Sequence, residues 1–229
     1  MSIFVNDEEK REVRDHFFGY LSELNALDAF KSFGSLDEDL WYTDVVTEDI
    51  HRAIRKLDLD LRVLCGASRV VLTEYDYPFI IKFQPFSDLD NDNHYCEFEQ
   101  EMYELAFKEG WGCYFCPVEK LGRFLFTVGD EVFARDIYVM PYCDCDEDAI
   151  IDESSSYQDR TNSNDDPEED IALITLALAE RCREMDLPLF LNFLREWGIN
   201  DLHAGNWGYL DGRLVITDYA GYGNHECHF

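Results

Sequence analysis

The sequence predicts an α+β fold of two lobes. The first is an antiparallel sheet with one helix, the second is reduced and mostly helical, and an N-terminal helical extension precedes both. Three observations carry this reading. Three β-rich runs joined by short polar breaks begin at Leu61; helical periodicity lies on either side of them; and a strongly acidic stretch then separates them from a second apolar region. The expected divisions are 1–60 for the extension, 61–142 for the sheet lobe, 143–170 for a flexible acidic linker, and 171–229 for the second lobe.

In chain order, Asn6 with Glu9 has capping-box character, and Val13, Phe17, Tyr20, Leu24 and Leu27 follow at helical spacing. Thr47 is the expected cap of a second helix carrying Ile50, Ile54 and Leu57. Arg62 to Cys65, Arg69 to Leu72 and Pro78 to Phe83 read as three strands of an antiparallel meander. Asn93 to Lys108 reads as a helix with Phe98, Met102, Leu105 and Ala106 on one face and Gly110 as its stop. Arg123 to Val128 and Glu131 to Met140 are strand candidates around Gly129-Asp130, a hairpin turn pair. In the linker, acids flank a Ser-rich stretch and only Arg160 opposes them. Ile171 to Met185 reads as an apolar helix, and Leu189 to Trp197 as another that Gly198 ends.

With 46% hydrophobic and 15% aromatic residues the chain has ample material for a core. Its 49 Asp and Glu against 19 Lys and Arg leave a net charge of -30, which argues against direct binding to a nucleic-acid backbone and favours basic partners. The best apolar run, Ile171 to Ala179, is far shorter than a bilayer requires, and the Met1 end has no basic segment before an apolar core. The expected place is a cytoplasm, with no membrane contact. There the eight cysteines should be reduced thiols rather than a disulfide framework. Cys113 with Cys116 and Cys143 with Cys145 are close pairs in sequence, but Trp111, Tyr114 and Phe115 suggest thiols packed among aromatics rather than metal ligands.

The most specific signal is Asn200-Asp201-Leu202-His203-Ala204-Gly205-Asn206, followed by a turn at Asp211-Gly212 and by Leu214-Val215-Ile216-Thr217-Asp218-Tyr219-Ala220-Gly221. By itself it reads as a helix end, a polar loop, a short hairpin and an acid closing an apolar strand. Two carboxylates and an amide can converge there, and hard oxygen ligands suit Mg²⁺.

From Leu61 to Gly221 the chain resembles the protein-kinase-like superfamily, particularly its aminoglycoside-phosphotransferase branch and the small kinase-like proteins of bacteria and phages. The resemblance implies Asp201 as catalytic base and Asn206 and Asp218 as Mg²⁺ ligands. Gly66-Ala67-Ser68 looks like a shortened glycine-rich loop, so Gly66 and Ser68 would lie against phosphate. Lys82 stands where the family's phosphate-holding lysine stands, and its partner acid should be Glu99, with Glu97 as the alternative. Val139-Met140-Pro141-Tyr142 resembles the hinge between lobes, where Met140 and Tyr142 would meet adenine and Tyr142 would offer its amide. The chain departs from the pattern at Ile199, where the family usually has His, and at Tyr219-Ala220-Gly221, one residue longer than the usual triplet.

Two functions follow as expectations. One is an ATP- and Mg²⁺-dependent phosphotransferase acting on a protein or small-molecule acceptor. The other is a catalytically inactive kinase-like acidic protein, phage-encoded, that captures a basic or nucleic-acid-binding partner.

Overall fold

Asn6 begins the first helix, its side-chain oxygen accepting the backbone N–H groups of Glu8 and Glu9 at 2.9 and 3.0 Å. Three acids, Asp7, Glu8 and Glu9, fill the first turn, where the positive end of the helix dipole favours them. Glu9 also reaches back, accepting the Val5 N–H at 2.6 Å. The computed structural model describes residues 2–34, 42–65, 69–84, 95–144, 186–199 and 204–219. Helix α1 spans Asp7–Asn25 and buries Val13, Phe17, Leu21 and Leu24. Helix α2 spans Tyr42–Leu57, so Thr47 lies inside it, and the expectation that Thr47 caps the helix is corrected.

The described architecture is mixed α+β around a five-stranded antiparallel sheet. Strands β1 (Leu61–Cys65), β2 (Val70–Glu74), β3 (Phe79–Phe83), β4 (Glu119–Val128) and β5 (Glu131–Pro141) lie in the order β1-β2-β3-β5-β4. Helix α3, Tyr95–Lys108, follows β3 in the chain. The two-residue loop between β4 and β5 puts the left-handed backbone at Gly129 (φ 61), its first position, where a II′ turn needs a glycine.

Alternation along the strands divides the residues between the faces of this sheet. Leu72, Ile81, Phe83, Phe126, Ile137 and Val139 join α1 and α2 in one buried cluster. Phe126 packs edge-on against Phe30 with centroids 4.9 Å apart and stacks on Phe83 at 5.3 Å. Lys82, between two core residues of β3, belongs to the other face, and it sits opposite Val71 and Tyr138 in the register.

The chain divides into two compact units, residues 1–100 with 117–142, and residues 101–116 with 143–229. Both N-terminal helices belong to the first. In the second, helix α4 (Leu187–Glu196) is capped by Asp186, which accepts from the Leu189 N–H at 3.3 Å, and Gly198 follows its end at φ 65. Strands β6 (Trp207–Leu210) and β7 (Arg213–Ile216) form a hairpin whose turn, Asp211 and Gly212, has positive φ at both positions, as a I′ turn requires. An aromatic cluster of Trp111, Tyr114, Phe115, Phe190, Phe193 and Tyr219 packs this unit. Four described non-glycine residues have positive φ, and all four are aspartates: Asp28, Asp58, Asp76 and Asp211. The expected helix at 171–185 and most of the acidic stretch lie outside the described residues. No described helix is long and apolar enough to cross a membrane.

Candidate functional site

Strand β3 carries Lys82 to the sheet face away from α1 and α2, and α3 presents Glu99 to it. Lys82 Nζ lies 3.3 and 3.4 Å from the two carboxylate oxygens of Glu99. Both side chains are buried, Glu99 completely. Glu97, the alternative partner, is exposed on the same helix. The sequence reading missed Arg69, whose Nη1 donates to Glu99 Oε1 at 2.9 Å and which is itself buried. One carboxylate thus receives two cations. Taking such charges out of water is costly, and the ion pairs and hydrogen bonds offset that cost only because each group is held in place. The Arg69 guanidinium is well suited, since its planar fork keeps its charge and its geometry when buried. It stands directly before β2, so this bond ties the start of that strand to α3.

In the second unit, β6 and β7 carry the expected metal ligands to the open end of their hairpin. Asn206 ends the 3-10 turn Ala204–Asn206 and is buried. Its backbone carbonyl accepts the Thr217 N–H at 2.8 Å, so Asp218 directly follows the residue that closes the hairpin against Asn206. Asp218 is partly exposed. An amide oxygen and a carboxylate are hard donors, and Mg²⁺ commonly takes one or two such protein ligands and fills the rest of its octahedron with phosphate and water. Asn206 and Asp218 are residues of that chemical type. Among the described residues, no three His, Cys, Asp or Glu side chains gather into a larger metal site.

The hinge expectations divide. Met140 is buried and pairs with Ile80 in the sheet. Tyr142 exposes its side chain but donates its N–H to the Pro78 carbonyl at 2.8 Å. The amide expected to serve adenine continues the β3–β5 pairing one step beyond Phe79 and Pro141. Gly66, Ser68 and Asp201 lie outside the described residues.

No protein-family model and no curated protein matches this chain.

Proposed function

We propose that the protein is an ATP- and Mg²⁺-dependent phosphotransferase with a reduced, two-lobed kinase-like fold. The observation that carries this reading is the buried pair of Lys82 on the third strand with Glu99 on the following helix. A lysine kept under a sheet by a fully buried glutamate has a fixed ammonium, and a fixed ammonium orients polyphosphate. The order of the other elements supports it: strand meander, helix, hairpin, and then a second hairpin with Asn206 and Asp218 at its base.

In this reading Lys82 orients the α- and β-phosphates and Glu99 holds Lys82. Asn206 and Asp218 would hold Mg²⁺, which would supply positive charge to offset that of the phosphates. Asp201 positions the acceptor hydroxyl and accepts its proton as the γ-phosphoryl group transfers. Most of this catalysis is positioning and electrostatics, so a small frame suffices. The acceptor is a protein or a small molecule, and the place of action a cytoplasm.

A second reading follows from the net charge of -30. An acidic kinase-like scaffold would capture a basic or nucleic-acid-binding partner without chemistry, and its binding would weaken steeply with salt.

Thermal unfolding with increasing MgATP separates the two, because a ligand that binds only the folded state raises its apparent stability, by about 2.7 kcal/mol at a hundredfold excess over Kd. A rise in the wild type that Lys82→Ala and Asp218→Ala both lose supports the phosphotransferase. No rise at millimolar nucleotide, together with salt-sensitive capture of a basic protein, favours the scaffold.

A further inference from the structure

Cys116 and Cys143 are buried cysteines in the thiol form, and their sulfurs stand 3.4 Å apart. They are 27 positions apart in the chain, and each has a nearer cysteine in sequence, Cys113 or Cys145. Cys113 is exposed. The β6–β7 hairpin explains the pairing. Cys116 donates its N–H to the Ile216 carbonyl at 2.8 Å, while Asp144, next to Cys143, exchanges two backbone bonds with Tyr209 at 3.0 and 2.8 Å. The Tyr219 hydroxyl donates to the Cys116 carbonyl at 2.7 Å, holding that residue from a second side. Both thiols are thus fixed by neighbours docked on one hairpin. The chain leaves the second compact unit directly after Cys116 and re-enters it at Cys143, and the segment between them, 117–142, holds β4 and β5.

We propose that Cys116 and Cys143 form a site of oxidative modification, a dithiol that closes to a disulfide when a hydroperoxide supplies the oxidising equivalents. Cys143 is 8% exposed and Cys116 1%, so Cys143 meets the oxidant first. Its thiolate sulfur attacks one peroxide oxygen, the O–O bond breaks, the other oxygen leaves as water after taking a proton, and Cys143 becomes a sulfenic acid. The Cys116 sulfur then attacks that sulfenic sulfur, and the hydroxyl leaves as a second water with the Cys116 proton. Two thiols lose two electrons, and one hydrogen peroxide becomes two waters. A disulfide of about 2.05 Å requires the sulfurs to approach by only about 1.4 Å. The product makes 117–142 a covalently closed loop. The inference does not depend on nucleotide chemistry.

The test uses the full reduced chain, treated with hydrogen peroxide, blocked with N-ethylmaleimide, digested with trypsin and mapped by mass spectrometry without reductant. The expected product is residues 109–120 joined to residues 136–160 with the loss of two hydrogens, reversed by dithiothreitol. Cys113→Ser and Cys145→Ser retain the link, whereas Cys116→Ser and Cys143→Ser each abolish it. Recovery of Cys116 and Cys143 as maleimide adducts or as sulfinic acids would overturn the proposal, as would a link that Cys113→Ser or Cys145→Ser removes. Fragment ions of the wild-type linked peptides also assign the pair, because Cys113 and Cys145 then carry the maleimide, so a variant that misfolds does not weaken the test.

Discussion

Arg69 donates to Glu99 Oε1 from 2.9 Å, closer than either of the 3.3 and 3.4 Å approaches that Lys82 makes to the same carboxylate. The glutamate is therefore anchored from two elements, the residue that enters β2 and the fourth residue of β3, and among the described residues the lysine is one of two cations on it.

Replacing Glu99 by Gln keeps the shape but leaves two buried cations without their shared carboxylate. Breaking a buried ion pair from one side costs about 3–5 kcal/mol. Chemical denaturation should show a loss of that order for Glu99→Gln and a change within about 0.5 kcal/mol for Glu97→Gln on the exposed side of the same helix. Equal effects of the two substitutions would count against the described burial.

Arg69 fixes the position of Glu99 and, through it, of Lys82. If Lys82 holds phosphate, Arg69→Gln should weaken MgATP binding by about tenfold, near 1.4 kcal/mol, as measured by calorimetry. Arg69→Lys should recover part of that loss, because it restores charge without the planar fork. Unchanged affinity in Arg69→Gln would limit Arg69 to a role in stability.

Two glycines should respond in opposite directions to alanine. A Cβ at Gly19, inside α1, meets no atom within 4 Å, so Gly19→Ala should stabilise by about 0.5–1 kcal/mol through helix propensity. A Cβ at Gly112 would lie 2.9 Å from the Phe107 Cα, a backbone atom that yields little. Gly112→Ala should destabilise by about 1–3 kcal/mol, and thermal melts of the two variants check both signs.

Glu119 opens β4 and gathers the N-terminal residues: its carboxylate accepts from Ser2 Oγ at 2.8 Å and the Ile3 N–H at 3.0 Å, and it pairs with Lys10. Burial pushes this carboxyl up, but the hydrogen bonds from Lys10, Ser2 and Ile3 outweigh it and hold the group below its ordinary 4.5. The unfolded chain then binds the proton more readily than the folded one, so stability rises with pH across this range. The contribution is complete above the ordinary carboxylate value and is lost as pH falls through the lowered one. Melts between about pH 7 and about pH 3 should therefore show a shallower acid decline in Glu119→Gln than in the wild type.

Much of the sheet was legible because its signals are local. The runs from Leu61 to Phe83, the Gly129-Asp130 turn and the Asp211-Gly212 turn each carry their own conformational demand within a few residues. The start of α2 was not legible. Thr43, Val45, Val46 and Thr47 are β-branched and weak helix formers, so a local reading begins the helix after them, whereas the folded chain begins it at Tyr42. Glu99 could be chosen over Glu97 because Met102 and Tyr103, one turn on, read as core residues, and both are buried. Arg69 could not be chosen, since an arginine beside a glycine-rich segment looks solvated until a contact 30 residues away buries it. The same holds for Cys116 and Cys143, whose nearest cysteines in sequence pointed to different pairs.

The four aspartates with left-handed backbone give part of the chain's acidity a conformational origin. Asp and Asn tolerate that region far better than other residues with a side chain, so Asp28, Asp58, Asp76 and Asp211 serve geometry whatever their charge does. An attempt to make this protein less acidic would meet that constraint at these four sites among the described residues. Asparagine can take over there while removing the charge, whereas lysine would bring a backbone penalty along with its own. The molecule's acidity is thus separable into a part that can be neutralised freely and a part that must be replaced by a residue of matching backbone preference.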